Sequence, residues 1–349
     1  MTALGPLEAR VPVALRGTAA YHVPRPPNIV AKLDANELPY GLPEELRARL
    51  GAALAEVALE RYPDPGASAL RTLLAAEHGV AGEQLTFGNG SDELIAMLCN
   101  AFAGPILYPS PTFVYYKLAA IARGLPVVEV PLSPRFELDE SAVHAAIARE
   151  RPSVVFLALP NNPTGTLWRL GFALELAAAH RDTVIVSDEA YCAYSGKTNL
   201  AALAEHPNLV VMRTLSKLGL AGLRVGYAIT APAIAHVLEK VRPPYNLSTL
   251  DQRAAELMLA PAARAWCAAR AADVVAERSR LATNLARTCE VFPSEANLLL
   301  VRCPDARATW QRLADAGVLV RLFDAGPLAG CLRITVGTPA ENDLLLAAL

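Results

Sequence analysis

From about residue 45 to residue 240, helical patterns alternate with short apolar, β-branched runs, and this alternation limits the possible folds most strongly. Such alternation is typical of β-α units, in which a mostly parallel sheet is covered by helices on both faces. We therefore predict an α/β fold. The runs, each bounded by Pro, Gly or Asn, are 84–87, 105–108, 127–130, 154–159, 184–187, 209–213 and 225–230.

The rest of the chain predicts a second, smaller unit. With 349 residues, of which 53% are hydrophobic, the chain is long enough for two domains. An Ala/Arg-rich helical pattern covers 249–287 and is interrupted only by Pro261, and strand-like runs follow at 297–302 and 332–336. The first forty residues are Pro-rich and irregular. We predict an N-terminal arm (1–40), a large domain (41–245) and a small α+β domain (246–349).

Charge and cysteine usage exclude several classes of partner. The 32 Lys and Arg nearly balance the 34 Asp and Glu, so no summed positive field attracts nucleic acid or anionic lipid. Apolar runs such as 154–159 are far shorter than the roughly 20 residues of a membrane span. The six cysteines show no C-x-x-C spacing, which disfavours a zinc site or a disulfide framework. We expect a soluble, cytoplasmic protein that binds no nucleic acid, membrane or metal.

A lysine-containing loop follows the apolar run 209–213. The segment 213–227 reads RTLSKLGLAGLRVGY and places Ser216, Lys217 and Arg224 close together. A lysine in a partly desolvated pocket has a lowered pKa and can form a Schiff base with a carbonyl cofactor. Ser216 and Arg224 could hold a phosphate. A solvated lysine in an ordinary loop fits the spacing equally well.

Two further runs end in polar side chains. The run 184–187 is followed by Asp188, Glu189 and Tyr191, and ligands of open α/β sheets bind beyond the carboxyl ends of the strands. Asp188 could pair with a protonated ring nitrogen and Tyr191 with a phenolic oxygen, although helix capping and packing also explain Glu189 and Tyr191. Asn162 lies in the turn 159–165, where its amide could point over the sheet or simply belong to the turn.

A glycine-rich turn at 87–94 precedes an apolar-periodic helix. Its free N–H groups and the positive end of the helix dipole could cradle a phosphate at Gly90, Ser91 and Asp92. The turn is not G-x-G-x-x-G and no Gly-Lys-Ser/Thr follows, so a dinucleotide or ATP site loses support.

The four motifs follow one another on successive strand ends, and in this combination the chain resembles the fold-type I pyridoxal-phosphate enzymes of the class I and II aminotransferase superfamily. Within it, the chain is most similar to the histidinol-phosphate aminotransferase group. The resemblance covers nearly the whole chain and implies a mostly parallel seven-stranded sheet sandwiched by helices, plus a smaller α+β domain. Further matches are 36–37, 39–41, 61–65, 294–297 and 330–337.

The resemblance implies a role for each motif in holding pyridoxal 5′-phosphate. Lys217 would form the Schiff base and then carry the proton between the substrate Cα and the cofactor C4′. Asp188 would keep the pyridine nitrogen protonated. The remaining implied contacts are Tyr191 and Asn162 with the 3′-oxygen, Phe113 with the ring, and Gly90, Ser91, Asp92, Ser216 and Arg224 with the phosphate.

The resemblance also implies the substrate side. Arg333 would be the main anion-binding arginine and Arg321 a second one. Tyr62 would reach the active site of the partner subunit, which implies a homodimer. The other implied contacts are Asn36 and Asn297 as polar liners, and Tyr21 and Tyr62 near phosphate groups. The implied reaction is ping-pong transfer of an amino group from L-histidinol phosphate to 2-oxoglutarate, a 2-oxo acid.

Two departures from the family pattern stand out. The spacing from Lys217 to Arg224 is one residue shorter than the commonest one, so the loop path should differ slightly. Phe113 stands where a tyrosine is frequent, which keeps ring stacking and removes a hydrogen bond.

An aromatic amino-acid aminotransferase or a threonine-phosphate decarboxylase would keep the same cofactor residues. A non-catalytic cofactor-binding regulator would need a DNA-binding segment, which the sequence does not show.

Overall fold

The computed structural model describes residues 5–17 and 28–349. The strands are β1 (Ala31–Lys32), β2 (Leu85–Asn89), β3 (Ile106–Ser110), β4 (Val127–Pro131), β5 (Val154–Ala158), β6 (Val184–Asp188), β7 (Leu209–Thr214), β8 (Val225–Thr230), β9 (Glu290–Val291), β10 (Leu298–Arg302), β11 (Val318–Leu319), β12 (Arg321–Phe323) and β13 (Cys331–Thr335).

The helices are α1 (Val13–Arg16), α2 (Glu44–Ala55), α3 (Ser68–His78), α4 (Gly90–Ala101), α5 (Tyr115–Arg123), α6 (Glu140–Glu150), α7 (Leu170–Ala179), α8 (Cys192–Ser195), α9 (Pro232–Val241), α10 (Thr249–Met258), α11 (Pro261–Leu285), α12 (Ala306–Asp315) and α13 (Pro339–Ala347). Within the described part of the chain, no helix combines the length and the apolar character that a membrane crossing requires.

Seven strands form one sheet in the order β2-β8-β7-β6-β5-β3-β4. The five strands β7, β6, β5, β3 and β4 all run parallel to one another, whereas β8 runs antiparallel to both of its neighbours, β2 and β7. The predicted α/β class is therefore confirmed, and each of the seven apolar runs forms one of these strands. Since parallel strands end at the same edge, the turns after β5, β6 and β7 lie side by side.

Helices cover both faces of this sheet, which explains the continuous apolar runs. In β5, Val155 and Leu157 pack into a core that includes residues of α3, α6 and α7. Val154 and Phe156 point the other way, into a core formed with α4, α5 and α9. Successive side chains of one strand thus enter opposite cores, so every position must be apolar.

The C-terminal part builds a second sheet, in the antiparallel order β12-β13-β10-β9. The helical pattern at 249–287 forms two helices, α10 and α11, because Pro261 begins the second one. Proline is tolerated there, since the first turn of a helix has no intrahelical partner for an N–H group.

The segment before α2 packs on this C-terminal part. Strand β1 pairs in parallel with β11, and the N–H of Thr335 donates to the carbonyl of Leu33 at 2.8 Å. Residues 34–36 follow directly, and Ala35 and Asn36 line the main cavity.

Candidate active site

A cavity of about 310 Å³ opens at the carboxyl ends of β5, β6 and β7. It is the place where the four sequence motifs converge. The predicted site residues that line it are Asn36, Ser91, Asp92, Phe113, Asn162, Asp188, Tyr191, Ser216, Lys217, Arg224 and Arg333.

Lys217 lies in a short 3-10 helix, Leu215–Leu218, which follows β7. Its Nζ lies 3.5 Å from the carbonyl oxygen of Ala35 and 5.8 Å from the centre of the Tyr191 ring. Burial of the amine, followed by the positive charge of Arg333, lowers the pKa of Lys217 to about 8. The side chain is half-buried and borders the cavity, which favours a role in the site over that of a solvated loop lysine.

Asp188 is the last residue of β6 and is 5% exposed. Its Oδ2 accepts a hydrogen bond from the hydroxyl of Tyr116 at 2.6 Å, and its Oδ1 accepts one from the N–H of Ala190 at 3.1 Å. Burial raises the pKa of Asp188 to about 6, against the opposing effect of the Tyr116 hydrogen bond. The sequence prediction did not include Tyr116. Its position one helical turn after Phe113, on a helix that covers the sheet, is the signal that could have found it.

Asn36 and Tyr191 are joined across the cavity. The Nδ2 of Asn36 donates to the Tyr191 hydroxyl at 2.9 Å. Burial raises the pKa of Tyr191 to about 12, so its hydroxyl keeps its proton and can also donate. Glu189, by contrast, does not line the cavity; it is 1% exposed and forms an ion pair with Arg213 at 2.9 Å.

Arg333 links the two halves of the site. Its Nη1 donates to the Oδ1 of Asn162 at 2.7 Å, and its Nη2 donates to the carbonyl of Asp34. Asn297, a predicted liner, is instead fully buried behind Asn36, where its Nδ2 donates to the Asn36 carbonyl at 3.1 Å. It therefore supports a lining residue and does not line the cavity itself.

The glycine-rich turn forms the start of α4 at Gly90, which has a φ of 75°. Its N–H donates to the carbonyl of Arg224 at 2.6 Å. A Cβ on Gly226 would lie 2.5 Å from the carbonyl carbon of Gly90 and 2.6 Å from the nitrogen of Ser91. Strand β8 can approach the turn only because residue 226 has no side chain. Because the Gly90 N–H is used in this contact, Ser91 and Asp92 are the residues of the first turn of α4 that line the cavity.

Arg224 reaches this turn despite the short spacing from Lys217. It has a φ of 50°, in the left-handed region, and its Nη2 lies 2.9 Å from the Oδ2 of Asp92. The expected difference in loop path therefore leaves the guanidinium over the glycine-rich turn. Ser216 lies beside it, where its hydroxyl accepts from the Thr214 hydroxyl at 3.0 Å.

A second cavity of about 290 Å³ adjoins the first and shares Phe113, Asn162 and Arg333 with it. Arg321 lines this second cavity, because it lies opposite Arg333 in the register of β12 and β13. Two guanidinium-bearing residues therefore face one space beside Lys217, and together they can bind a doubly charged anion.

Two predicted tyrosines are not in this cavity. Tyr62 is 81% exposed and stacks on Tyr245, with ring centres 4.5 Å apart. Its hydroxyl is thus available to another molecule and not to the site of its own chain. Tyr21 lies outside the residues that the structure describes.

The cavity fits the cofactor that the motifs imply. Ser91 and Asp92 at the start of α4, with the guanidinium of Arg224 beside them, suit a phosphate. A buried carboxylate of the same cavity, Asp188, can pair with a protonated ring nitrogen. Lys217 lines this cavity too and supplies an amine with a lowered pKa.

Comparisons with known proteins show the family of the chain. Residues 28–349 match the family model described as aminotransferase class I and II. The chain is 48% identical to histidinol-phosphate aminotransferase 1 of Burkholderia lata over 338 residues, covering 95% of this chain and 94% of that one. It is 45% identical to the histidinol-phosphate aminotransferase of Chromobacterium violaceum, with the same coverage of both chains.

A solved structure shows the same fold. The histidinol-phosphate aminotransferase of Sinorhizobium meliloti, in complex with pyridoxal-5′-phosphate, superposes with a TM-score of 0.87 at 27% identity. The match covers 100% of this chain and 98% of that one.

Proposed function

The chain belongs to the class I and II aminotransferase family, and we propose that it transfers the amino group of L-histidinol phosphate to 2-oxoglutarate in histidine biosynthesis. One observation carries this proposal: Arg333 and Arg321 face a cavity that adjoins the Lys217 amine. The relatives named histidinol-phosphate aminotransferase, at 45% and 48% identity, support the same substrate.

The proposed cofactor is pyridoxal 5′-phosphate, bound covalently to Lys217. When bound, it supplies an electron sink for the carbanion that forms as the substrate Cα loses a proton. Asp188 would hold the pyridine nitrogen protonated, and Phe113 would stack on the ring. The other proposed contacts are Tyr191 and Asn162 with the 3′-oxygen, and Gly90, Ser91, Asp92, Ser216 and Arg224 with the phosphate.

Lys217 is proposed to act twice. With a pKa lowered to about 8, a useful share of its amine is neutral near neutral pH and can attack a carbonyl carbon. Its free amine would then accept the proton from the substrate Cα and deliver it to the cofactor C4′. The same lowered pKa suits both tasks, because a base works best when its pKa lies near the working pH.

Arg333 and Arg321 are proposed to bind the anionic groups of both substrates. A phosphate and a carboxylate each accept two hydrogen bonds from a guanidinium, so one pair of arginines can serve an amine with a phosphate arm and a dicarboxylate. Asn36 would contact the substrate next to Tyr191, and Asn297 would hold Asn36 in place.

A homodimer with shared active sites is part of the proposal. The exposed Tyr62 and Tyr245 lie together with Leu59 and Leu250 on one surface, and large exposed apolar side chains of this kind mark contact sites. There Tyr62 would enter the site of the partner and contact phosphate groups.

A cytoplasmic location is also part of the proposal. The free thiols of all six cysteines fit a reducing cytoplasm.

The test of the substrate is spectroscopic. The protein is loaded with pyridoxal phosphate, and the visible band of the bound cofactor is followed after adding histidinol phosphate, phenylalanine or threonine phosphate separately. We expect rapid loss of the band with histidinol phosphate and its recovery with 2-oxoglutarate. Rapid loss with phenylalanine but not with histidinol phosphate would overturn the proposed substrate and leave the family intact.

A further inference from the structure

We propose that Tyr116 is a positioning residue that acts on the cofactor through Asp188. The inference rests on the proposed cofactor, since it concerns how the carboxylate that faces the pyridine nitrogen is held. The hydroxyl of Tyr116 donates to the Oδ2 of Asp188 at 2.6 Å, which is a short, charge-assisted hydrogen bond.

Tyr116 is itself held firmly. It is fully buried, and its ring stacks on Phe156 with centres 4.5 Å apart and planes 8° from parallel. The rings of Phe113 and Tyr116 meet edge to face, with centres 5.7 Å apart. A hydroxyl fixed in this way has few other orientations, so the direction of the bond to Asp188 is set by the core.

Each oxygen of the Asp188 carboxylate accepts one hydrogen bond. The N–H of Ala190 holds Oδ1 from the backbone, and Tyr116 holds Oδ2 from helix α5. Together they fix the plane of the carboxylate and favour its charged form, against the strong burial that favours the neutral form. A carboxylate kept ionised would stabilise a protonated pyridine nitrogen in the bound cofactor, and that positive charge would lower the pKa of the nitrogen that joins the cofactor to Lys217.

The experiment replaces Tyr116 with Phe in the cofactor-loaded protein. We expect the pH midpoint of the visible band of the lysine-bound cofactor to move upward by about one unit, and the cofactor to bind about tenfold more weakly. Tyr115→Phe is the matched control, because Tyr115 is the neighbouring tyrosine of the same helix and does not line the cavity. It should leave both values unchanged.

A double variant tests whether Tyr116 acts through Asp188. In an Asp188→Asn background, Tyr116→Phe should have no further effect on the midpoint or on cofactor affinity. An unchanged midpoint and affinity in the single variant, or full additivity in the double variant, would overturn this role. The readouts do not depend on the amine substrate, so a wrong substrate assignment would leave the result intact. A wild-type protein that forms no visible band would overturn the proposed cofactor.

A separate observation concerns two cysteines in the C-terminal sheet. The Sγ atoms of Cys289 and Cys303 lie 2.7 Å apart. They stand opposite each other one step beyond the last pair of the β9–β10 ladder, in which Glu290 pairs with Arg302. Cys289 is partly exposed, whereas Cys303 is 5% exposed. We infer that this thiol pair is a site of reversible disulfide formation with glutathione disulfide as the oxidant.

The steps balance with that oxidant. The Cys289 thiolate attacks glutathione disulfide and releases one glutathione thiolate. The Cys303 thiol then loses its proton to solvent, and the resulting thiolate attacks the Cys289 sulfur of the mixed disulfide and releases the second glutathione as a thiolate. The protein loses two electrons and two protons, and one glutathione disulfide becomes two glutathione thiols.

The test exposes the loaded protein to glutathione disulfide and then alkylates the remaining thiols before mass spectrometry. We expect a cross-linked 289–303 peptide and the loss of both alkylation sites. Cys289→Ser should abolish the cross-link. Cys331→Ser should retain it, because Cys331 lies in the same sheet outside the pair. A stable glutathione adduct on Cys289, or two thiols that remain open to alkylation, would overturn the inference.

Discussion

The two sides of the site are built in different ways. The cofactor floor, formed by Gly90, Asp188, Ser216, Lys217 and Arg224, comes from turns that follow strands of one sheet. The substrate wall, formed by Asn36, Arg321 and Arg333, brings together distant parts of the chain. The Asn36 N–H, for example, donates to the hydroxyl of Thr335, 299 residues away. The floor is thus set by local sequence on a rigid sheet, and the wall by long-range packing.

The strongest test of the floor is Lys217→Ala. We expect the rate of transamination to fall at least about 10³-fold, because the variant loses both the covalent attachment and the proton carrier. Cofactor should still bind non-covalently, since the phosphate contacts remain. Lys240→Ala, an exposed position on α9, is the control and should keep full activity. Steady-state rates and gel filtration of the loaded protein measure both effects.

The matching test of the wall is Arg333→Met. It leaves the Asn162 Oδ1 and the Asp34 carbonyl without the guanidinium and removes a charge that faces the substrate. We expect kcat/KM to fall about 10²-fold for the amine and for the oxo acid alike, with a much smaller change in cofactor affinity. Arg307→Met, which breaks an exposed ion pair with Asp324, is the surface control. An equal loss of cofactor affinity would contradict the separation of floor and wall.

A smaller effect should distinguish two glycines near the floor, Gly226 and Gly222. In Gly226→Ala the new Cβ would collide with the backbone of Gly90 and Ser91, so the phosphate turn must shift. We expect the dissociation constant of the cofactor to rise about tenfold, as overpacking of 1–3 kcal/mol allows. Gly222→Ala, whose Cβ would meet no atom within 4 Å, should bind cofactor normally. Fluorescence titration of the cofactor-free protein would show the difference, and equal affinities would rule out the close approach.

The contrast between floor and wall also explains what the sequence could predict. The seven strands and the floor residues follow from apolar runs and the motifs at their ends, because a parallel sheet brings such ends together. Tyr116 was missed because its one local signal, a spacing of three residues from Phe113, does not indicate that its hydroxyl reaches Asp188. Asn297 was predicted to line the cavity, but its position behind Asn36 depends on how the C-terminal sheet packs against residues 34–36. Contacts such as Tyr116 with Asp188 and Asn297 with Asn36 depend on tertiary packing, so the spacing of residues in the sequence does not predict them.

The smallest expected effect is on the pKa of Lys217, which depends on the charge of Arg333 across the site. Burial and the positive charge of Arg333 both disfavour the ammonium form of Lys217, so the rate of cofactor capture should rise with pH and level off above about 8, far below the ordinary lysine range. Arg333→Met removes one of these causes and should move the midpoint upward. Arg321→Met should not, because Arg321 lines the neighbouring cavity and not the one that Lys217 borders.

Stopped-flow capture of pyridoxal phosphate, normalised to a free lysine derivative, measures this midpoint and corrects for titration of the cofactor itself. A midpoint near 10 in the wild type would mean that the Lys217 amine is solvated, which contradicts the buried floor. A midpoint that moves equally in both arginine variants would mean that both arginines of the wall act equally on the pKa of Lys217. A shift confined to Arg333→Met would instead show that one residue of the wall tunes the base of the floor, and that this charge is the point where the two sides are coupled.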